Sequence, residues 1–322
     1  MSKIKLVIIF LVVVLVVIGA YFLLSPEKEE TKVYRVGILS GASQFITTVD
    51  GFKSEMTELG YVEGEDIFYD LHEVEADPAE DQQVFTKFVE DKVDLIFLFP
   101  TEPAMEVKAV IEGTNIPVIF AWAQTEGTNL VESVAQPGGN MTGVRLYVND
   151  LMTKRLEFLP QLAPNAKRVW TVYDPRIPGA TDALEAMKPF ALSSGMTLVK
   201  TQIPNLEDVR STIQHRNSMS DIGVDAIFLM PDANTNSPDG FELMHEFAKE
   251  HKIPISALIE WEVGVGALYS YTPDPVETGK LAAITADKIL RGTSAGTIPV
   301  VTADGGLLPK LQSSSGTRAD GT

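Results

Sequence analysis

The sequence predicts an α/β protein of two similar Rossmann-like lobes behind one N-terminal transmembrane helix, and three observations lead to that reading. The first is an internal repeat. Arg35-Val36-Gly37-Ile38-Leu39 returns loosely as Arg168-Val169-Trp170-Thr171-Val172. Val93-Asp94-Leu95-Ile96-Phe97-Leu98-Phe99-Pro100 returns closely as Val224-Asp225-Ala226-Ile227-Phe228-Leu229-Met230-Pro231, and Ile116-Pro117-Val118 as Ile253-Pro254-Ile255. The blocks keep their order and nearly their spacing, so each half builds the same unit.

The second observation is the alternation inside each half. Short continuous apolar runs read as strands buried on both faces, as parallel sheets require. Between them lie helical patterns. Gly51–Leu59 places Phe52, Met56 and Leu59 on one face and stops at Gly60, a C-terminal cap residue. Ala183–Ser194 does the same before Gly195, while Val84, Phe88 and Val89 mark the next helix and Val209–Ile213 its counterpart. Strands alternating with helices predict a doubly wound parallel sheet in each lobe.

The third observation is the N-terminus. Lys3 and Lys5 precede an unbroken apolar run from Leu6 to Leu24. A bilayer core needs roughly 17–25 apolar helical residues, and this run suffices. Basic residues before it and Pro26-Glu27-Lys28-Glu29-Glu30 after it orient the N-terminus to the cytoplasm. A cleaved signal peptide is the alternative, with Ile18-Gly19-Ala20 as a small-residue site. Either way the chain from Ser25 onward is expected outside the cell. The expected divisions are residues 1–5 cytoplasmic, 6–24 anchor, 25–32 tether, 33–147 lobe 1 with 272–300 returning to it, 148–271 lobe 2, and 301–322 a polar tail. Crossings between the lobes are expected near Tyr147–Asp150 and Tyr271–Asp274.

Composition narrows the chemistry. The net charge is −18, from 44 acidic and 26 basic residues, which repels phosphate backbones and argues against nucleic acid. The absence of cysteine excludes disulfides, thiolate catalysis and a lipid-modified cysteine. His245 and His251, the two histidines close in sequence, are not at the i, i+4 spacing of a helical metal pair, and His72 and His215 stand apart. No nucleophile elbow, phosphate loop or Gly-x-Gly-x-x-Gly follows a strand. Pro137-Gly138-Gly139-Asn140 precedes a strand and reads as a turn. No cofactor, metal or catalytic constellation is implied.

Two such lobes enclose a cleft between the carboxyl ends of their strands, where open α/β sheets bind ligands. The residues just after the strands are the candidates: Ser43, Gln44, Thr101, Glu102, Trp122 and Gln124 in lobe 1, and Tyr173, Asp174, Asp232, Asn234, Glu260 and Trp261 in lobe 2. Each has a plainer explanation. Thr101 can cap a helix opening at Glu102-Pro103, Asp232 and Asn234 can form an Asx turn before Pro238, and either tryptophan can be core. Glu102, Glu126, Asp174, Asp232 and Glu260 fall in or near these loops with Arg176 as the one expected cation. Carboxylates crowded in a closing cleft call for a ligand with an ammonium or similar group, with an aromatic part stacked on Trp122 or Trp261.

The chain resembles the ABC transporter substrate-binding family that includes tryptophan- and tyrosine-type uptake receptors. Its Pro-Gly-Gly-Asn-x-Thr-Gly block stands here as Pro137–Gly143, its Gly-Tyr-x-Glu-Gly turn as Gly60–Gly64, and its Ser-Tyr-x-Pro-Asp block as Ser270–Asp274. Lys288–Gly292 and Ile298-Pro299-Val300 match its closing helix and strand entry. The resemblance implies a periplasmic-binding-protein-like fold of type I and no catalytic activity. It implies a small amino-acid or amine-like ligand held by the Ser43-Gln44, Thr101 and Asp232 loops. Permease and ATPase subunits are the implied partners, and a monomeric ectodomain is expected. Two departures stand out. Ser313–Thr322 is polar where members continue into a further strand and helix, so the last packing element is expected to be missing or altered. Glu102 lies in a loop that is small and Thr/Ala-rich in similar sequences, which weighs against an aromatic amino acid. A sensory module of the same fold, feeding a signalling partner, is the alternative function.

Overall fold

The structure, a computed structural model, describes residues 32–310 except 75, 76, 178 and 233. The apolar run Leu6–Leu24 and the segment Ser313–Thr322 lie outside the described residues. Among those described, no helix is long and apolar enough to cross a membrane.

Lobe 1 holds a sheet of six strands, β1 (Tyr34–Ser40), β2 (Ile67–Glu73), β3 (Leu95–Phe99), β4 (Val118–Gln124), β5 (Met141–Leu146) and β11 (Val301–Thr302). Their order is β11-β5-β4-β3-β1-β2, parallel throughout. Lobe 2 repeats it with β6 (Arg168–Tyr173), β7 (Thr197–Gln202), β8 (Ala226–Leu229), β9 (Ile255–Ala257), β10 (Tyr269–Pro273) and β12 (Gly305–Pro309). The order is β12-β10-β9-β8-β6-β7, with β12 alone antiparallel, against β10. The repeated sequence blocks occupy equivalent places: β3 lies between β1 and β4 as β8 lies between β6 and β9. Every residue of β3 and β4 is buried, the mark of a central parallel strand, while the edge strand β2 alternates.

Helices cover both faces of each sheet. They are α1 (Thr47–Glu58), α2 (Pro78–Glu90), α3 (Thr101–Ile111), α4 (Val148–Leu162), α5 (Ala180–Ser193), α6 (Leu206–Asn217), α7 (Pro238–His251), the short α8 (Glu260–Val265) and α9 (Pro275–Leu290). Several begin earlier than the apolar periodicity indicates, because polar caps and not core residues set their starts. Asp77 accepts from the Ala79 and Glu80 amides to open α2, and Asn205 accepts from the Asp208 amide to open α6. The glycines after α1 and α5 do end them, with Gly60 at φ 97° and Gly195 at φ 67°.

Three crossings join the lobes, one more than the sequence indicates. The chain passes from β5 into α4, from β10 into α9, and from β11 to β12. Residues 301–309, expected as the start of a tail, add one strand to each sheet instead. Their backbone finds two open edges: Val301 and Thr302 pair with Val144 and Arg145, and Gly305–Pro309 pairs with Tyr269–Pro273. Gly305 leaves room there for the Tyr271 ring, which a Cβ would meet at 2.5 Å.

Helix α9 returns to lobe 1 and lies on α1 with glycine at each close approach. A Cβ on Gly51 would stand 2.0 Å from the Val276 carbonyl oxygen, and one on Gly279 would stand 2.0 Å from that of Thr48. Tyr61 donates to Asp287 at 3.0 Å and Tyr34 to the Leu290 carbonyl at 3.1 Å, pinning the far end of α9. The Gly-rich block works locally. Gly138 (φ 69°) donates its amide to the Gly296 carbonyl at 3.0 Å, and the Asn140 amide group donates to the Ile116 carbonyl at 2.8 Å.

Because Gly279 faces backbone and not a movable side chain, Gly279→Ala is expected to destabilise the fold by about 1–3 kcal/mol, as overpacking of a tight core does. Urea denaturation measures it, and a midpoint equal to the wild type's would contradict this account of the α1–α9 contact.

Candidate functional site

The lobes face one another across a cavity of about 1580 Å³. Lobe 1 contributes Gln44, Phe45, Thr47 and Trp122, lobe 2 contributes Ile259, Glu260, Trp261 and Val263, and the β10–α9 and β11–β12 crossings form its floor. Four of the twelve residues named from sequence therefore line one cavity: Gln44, Trp122, Glu260 and Trp261.

Trp122 gets there by a backbone irregularity. The register of β4 against β5 slips between Ala121 and Ala123, leaving Trp122 as the extra residue of a bulge, with φ 55°. A non-glycine residue in this region is strained, and bulges commonly re-aim a side chain near a site. The indole is turned toward α1, where it donates to the Thr48 hydroxyl at 2.9 Å and stacks on Phe45 at 4.5 Å. It is 3% exposed, whereas Phe45, in the 3₁₀ turn Ser43–Phe45, is half-buried. Trp122 thus backs the wall and Phe45 shares it. Phe45 was missed in the sequence, although it directly follows the named Ser43 and Gln44. Ser43 is exposed at the start of the same turn, and its carbonyl accepts from the Ile46 amide. Trp261, half-buried on α8, meets Phe241 edge-on at 5.2 Å. The cavity so has an aromatic surface on each lobe.

Most of the other named residues are engaged within the protein. Helix α3 begins at Thr101 itself, with no side-chain cap, and the Thr101 hydroxyl accepts from the Gln124 amide at 3.1 Å, tying the start of α3 to the end of β4. Gln124 is buried and reaches lobe 2, where a Cβ on Gly179 would stand 2.9 Å from its side-chain oxygen. Glu102 is exposed in the first turn of α3. Burial, and then Glu102, raise the Glu106 carboxyl above its ordinary value. The Tyr173 hydroxyl lies 3.3 Å from the Gln202 amide nitrogen. Asp174 accepts from the Arg176 backbone and guanidinium, both at 2.9 Å, and Arg176 holds its carboxyl below the usual range.

Asp232 closes the Asx-type turn foreseen as the plainer reading. It accepts from the Asn234 and Thr235 amides, both at 2.8 Å, and from the Thr235 hydroxyl at 2.5 Å. Burial raises its carboxyl in spite of these bonds. Asn234 donates to the Ile203 carbonyl at 3.1 Å.

The charge pattern also differs from expectation. Arg145, the penultimate residue of β5, reaches Glu126 and stacks on Tyr147, so Arg176 is not the sole cation near the strand ends. A strand residue was missed because only loop residues were considered. The acidic excess sits at the cavity itself, where Glu260, Asp274, Glu277 and Asp304 line the walls with Lys310 as the cation among the lining residues. Among the described residues, no three metal-ligating side chains come together.

Beneath the lobe 2 wall lies a buried charge that sequence reasoning passed over. Arg155 on α4 and Glu262 on α8 are both fully buried. Glu262 accepts from the Leu258 and Ile259 amides at 2.7 and 3.1 Å, holding the turn that presents Glu260 and Trp261. Burial pushes its carboxyl up to about 7 against the pull of these amides and Arg155. Burial lowers the Arg155 guanidinium to about 10, which leaves it cationic at neutral pH. The signal was faint: Arg155 stands at i+4 between Leu151 and Leu159 on the apolar stripe.

A two-lobed α/β protein with an aromatic, acidic cleft has the architecture of a solute receptor. The model of the ABC transporter substrate binding protein family matches residues 33–308, and the chain belongs to that family. It is therefore a solute-binding protein and not an enzyme. A tyrosine-binding protein of Clostridioides difficile is 30% identical over 256 residues, 79% of this chain and 71% of the relative. A Streptococcus pneumoniae ABC domain solved in complex with L-Trp superposes with a TM-score of 0.72 at 23% identity, over 86% of this chain and 91% of that one. That likeness is one of fold. A ligand-free, open substrate-binding protein with adhesive properties from Clostridium difficile gives 0.69 at 26% identity, over 85% and 91%.

The raised Glu262 carboxyl sets a pH dependence. A group whose pKa is higher in the folded state stabilises below its unfolded value of about 4.5, and that contribution is lost as pH rises through about 7. Asp81, pushed up to about 6 mainly by burial, acts in the same sense. Chemical denaturation at pH 5 and 7.5 should show Glu262→Gln removing about 2 kcal/mol of the wild-type decline. An undiminished decline in the variant would reject this role.

Proposed function

We propose that the chain is the solute-binding component of an ABC-type importer, which takes a small ammonium-bearing ligand with an aromatic part into the interlobe cavity and delivers it to a permease. The observation that carries this reading is the pairing, in one cavity, of aromatic walls from both lobes with Glu260, Asp274, Glu277 and Asp304. The Phe45–Trp122 stack and Trp261 offer flat apolar surface, and the carboxylates offer a favourable field for an ammonium group. Relatives that bind tyrosine and tryptophan support the aromatic part. Of the residues named from sequence, Gln44, Glu260 and Trp261 are the proposed direct contacts, and Trp122 is proposed to back Phe45 in the lobe 1 wall. Ser43, Thr101, Glu102, Gln124, Tyr173, Asp174, Asp232 and Asn234 are proposed to border the ligand or to shape the loops that do.

Calorimetry with L-tyrosine, L-tryptophan, tyramine and glucose tests the ligand class. The three aromatic ammonium compounds are expected to include the tightest ligand, and Trp261→Ala to weaken it by about tenfold, or about 1.4 kcal/mol. Glucose as the best ligand, or unchanged binding by the variant, would overturn the reading.

The run Leu6–Leu24 is proposed to hold the protein in the cell membrane with the lobes outside. Carbonate-washed membranes should retain the full-length chain. A mature protein beginning at Tyr21 in the culture fluid would show cleavage and release instead.

A further inference from the structure

The ladder between β8 and β9 is two residues long. It pairs Ile227 with Ile255 and Phe228 with Ser256, then stops. The next row is Leu229 and Ala257, the last residues of the two strands. Arg155 occupies that row. Its guanidinium lies 4.0 Å from the centre of the Phe228 ring, Nη1 donates to the Ala257 carbonyl at 2.8 Å, and Nη2 donates to the Leu229 carbonyl. The helix that carries it is held in place from β10, where the Tyr269 hydroxyl donates to the Arg155 carbonyl at 2.7 Å.

The two strands that Arg155 bridges carry the lobe 2 side of the cleft. Past Leu229 comes the turn closed by Asp232, and past Ala257 comes the turn that Glu262 holds before Trp261. A charged group is costly to bury, and an apolar residue would serve packing as well. What an arginine adds is a planar fork whose two arms bind two acceptors at a set separation, which lysine cannot match.

We propose that Arg155 is a positioning residue for the ligand site, whose guanidinium takes over from the β8–β9 ladder and sets the gap from which both cleft turns emerge. The ligand-binding part of this statement rests on the interlobe cavity being the ligand site. The positioning part does not.

The experiment compares wild type, Arg155→Lys, Arg155→Met and the double variant Arg155→Met/Glu262→Gln, each as the full chain in detergent. Hydrogen exchange of the ligand-free proteins reads the Asn234, Thr235, Leu258 and Ile259 amides. In every variant these are expected to exchange at least about tenfold faster, with lobe 1 amides unchanged. Affinity for L-tyrosine or L-tryptophan, whichever wild type binds, is expected to fall about tenfold or more. Arg155→Met leaves Glu262 without its opposing charge, so the double variant should regain the urea midpoint lost by the single one. It should not regain slow exchange at the Asn234 and Thr235 amides, which Glu262 does not bind, and this separates positioning from simple charge balance. Recovery of slow exchange at those two amides in the double variant, or wild-type exchange in Arg155→Lys, would overturn the proposal. Should Arg155→Met fail to fold, Arg155→Lys decides by the same exchange readout. Should wild type bind neither amino acid, the ligand reading falls while the exchange results still judge Arg155.

Discussion

The backbone-to-backbone contact of α1 and α9 is the constraint on which the rest of the molecule hangs. Helix α9 follows the last strand of lobe 2 in sequence, yet it is packed into lobe 1 because Gly51 and Gly279 let the helices meet without intervening side chains. That seating brings the start of α9, with Asp274 and Glu277, to the floor of the cavity. It also leads the chain through Ala295 and Ile298, in the lobe 1 core, to the open edge of β5, where β11 forms. From there a short step reaches β10 in lobe 2. Three strands of chain then join the lobes side by side, a geometry suited to hinged closure.

The cleft divides into residues that face the cavity and residues that hold its rim. Aromatic surface arrives on one side by a strained bulge at Trp122 and on the other by the short helix bearing Trp261. Asp174, Glu126 and Asp232 each satisfy their carboxylates within their own lobe, so their charges are spoken for before a ligand enters. At the floor Glu277 pairs with Lys280 and Asp274 caps the start of α9, accepting from the Glu277 amide at 3.0 Å, while Glu260, Asp304 and Lys310 line the cavity beside them.

Lobe 2 carries a polar apparatus in its interior that lobe 1 does not repeat at the matching helix. Arg155 and Glu262 are both fully buried and bond to backbone groups, and each keeps one polar atom, Nε and Oε1 respectively, without a hydrogen bond. In lobe 1 the corresponding rows of β3 and β4 continue their ladder through Leu98 and Phe120 with apolar residues on both faces. The two lobes share a topology and differ in this polar interior, which is where the proposed positioning role of Arg155 lies.

Much of the fold was legible in the sequence because parallel strands buried on both faces must be continuous apolar runs, and because two copies of one unit repeat those runs in order. The blocks Val93–Pro100 and Val224–Pro231 alone locate β3 and β8, and glycines at Gly60 and Gly195 mark helix ends by backbone conformation. The residues just past the strands could likewise be named as site candidates from topology. The sequence did not reveal which of them face the cavity, since that turns on a one-residue register slip at Trp122 and on hydrogen bonds that turn Asp232 and Thr101 inward. Nor did it reveal Arg145 and Arg155, which lie inside a strand and a helix, or the two strands in 301–309, which form only because two sheet edges stand open beside that segment. Periodicity and punctuation are local properties and can be read along a chain. Partners for charges and for edge strands come from distant residues, and only the folded arrangement supplies them.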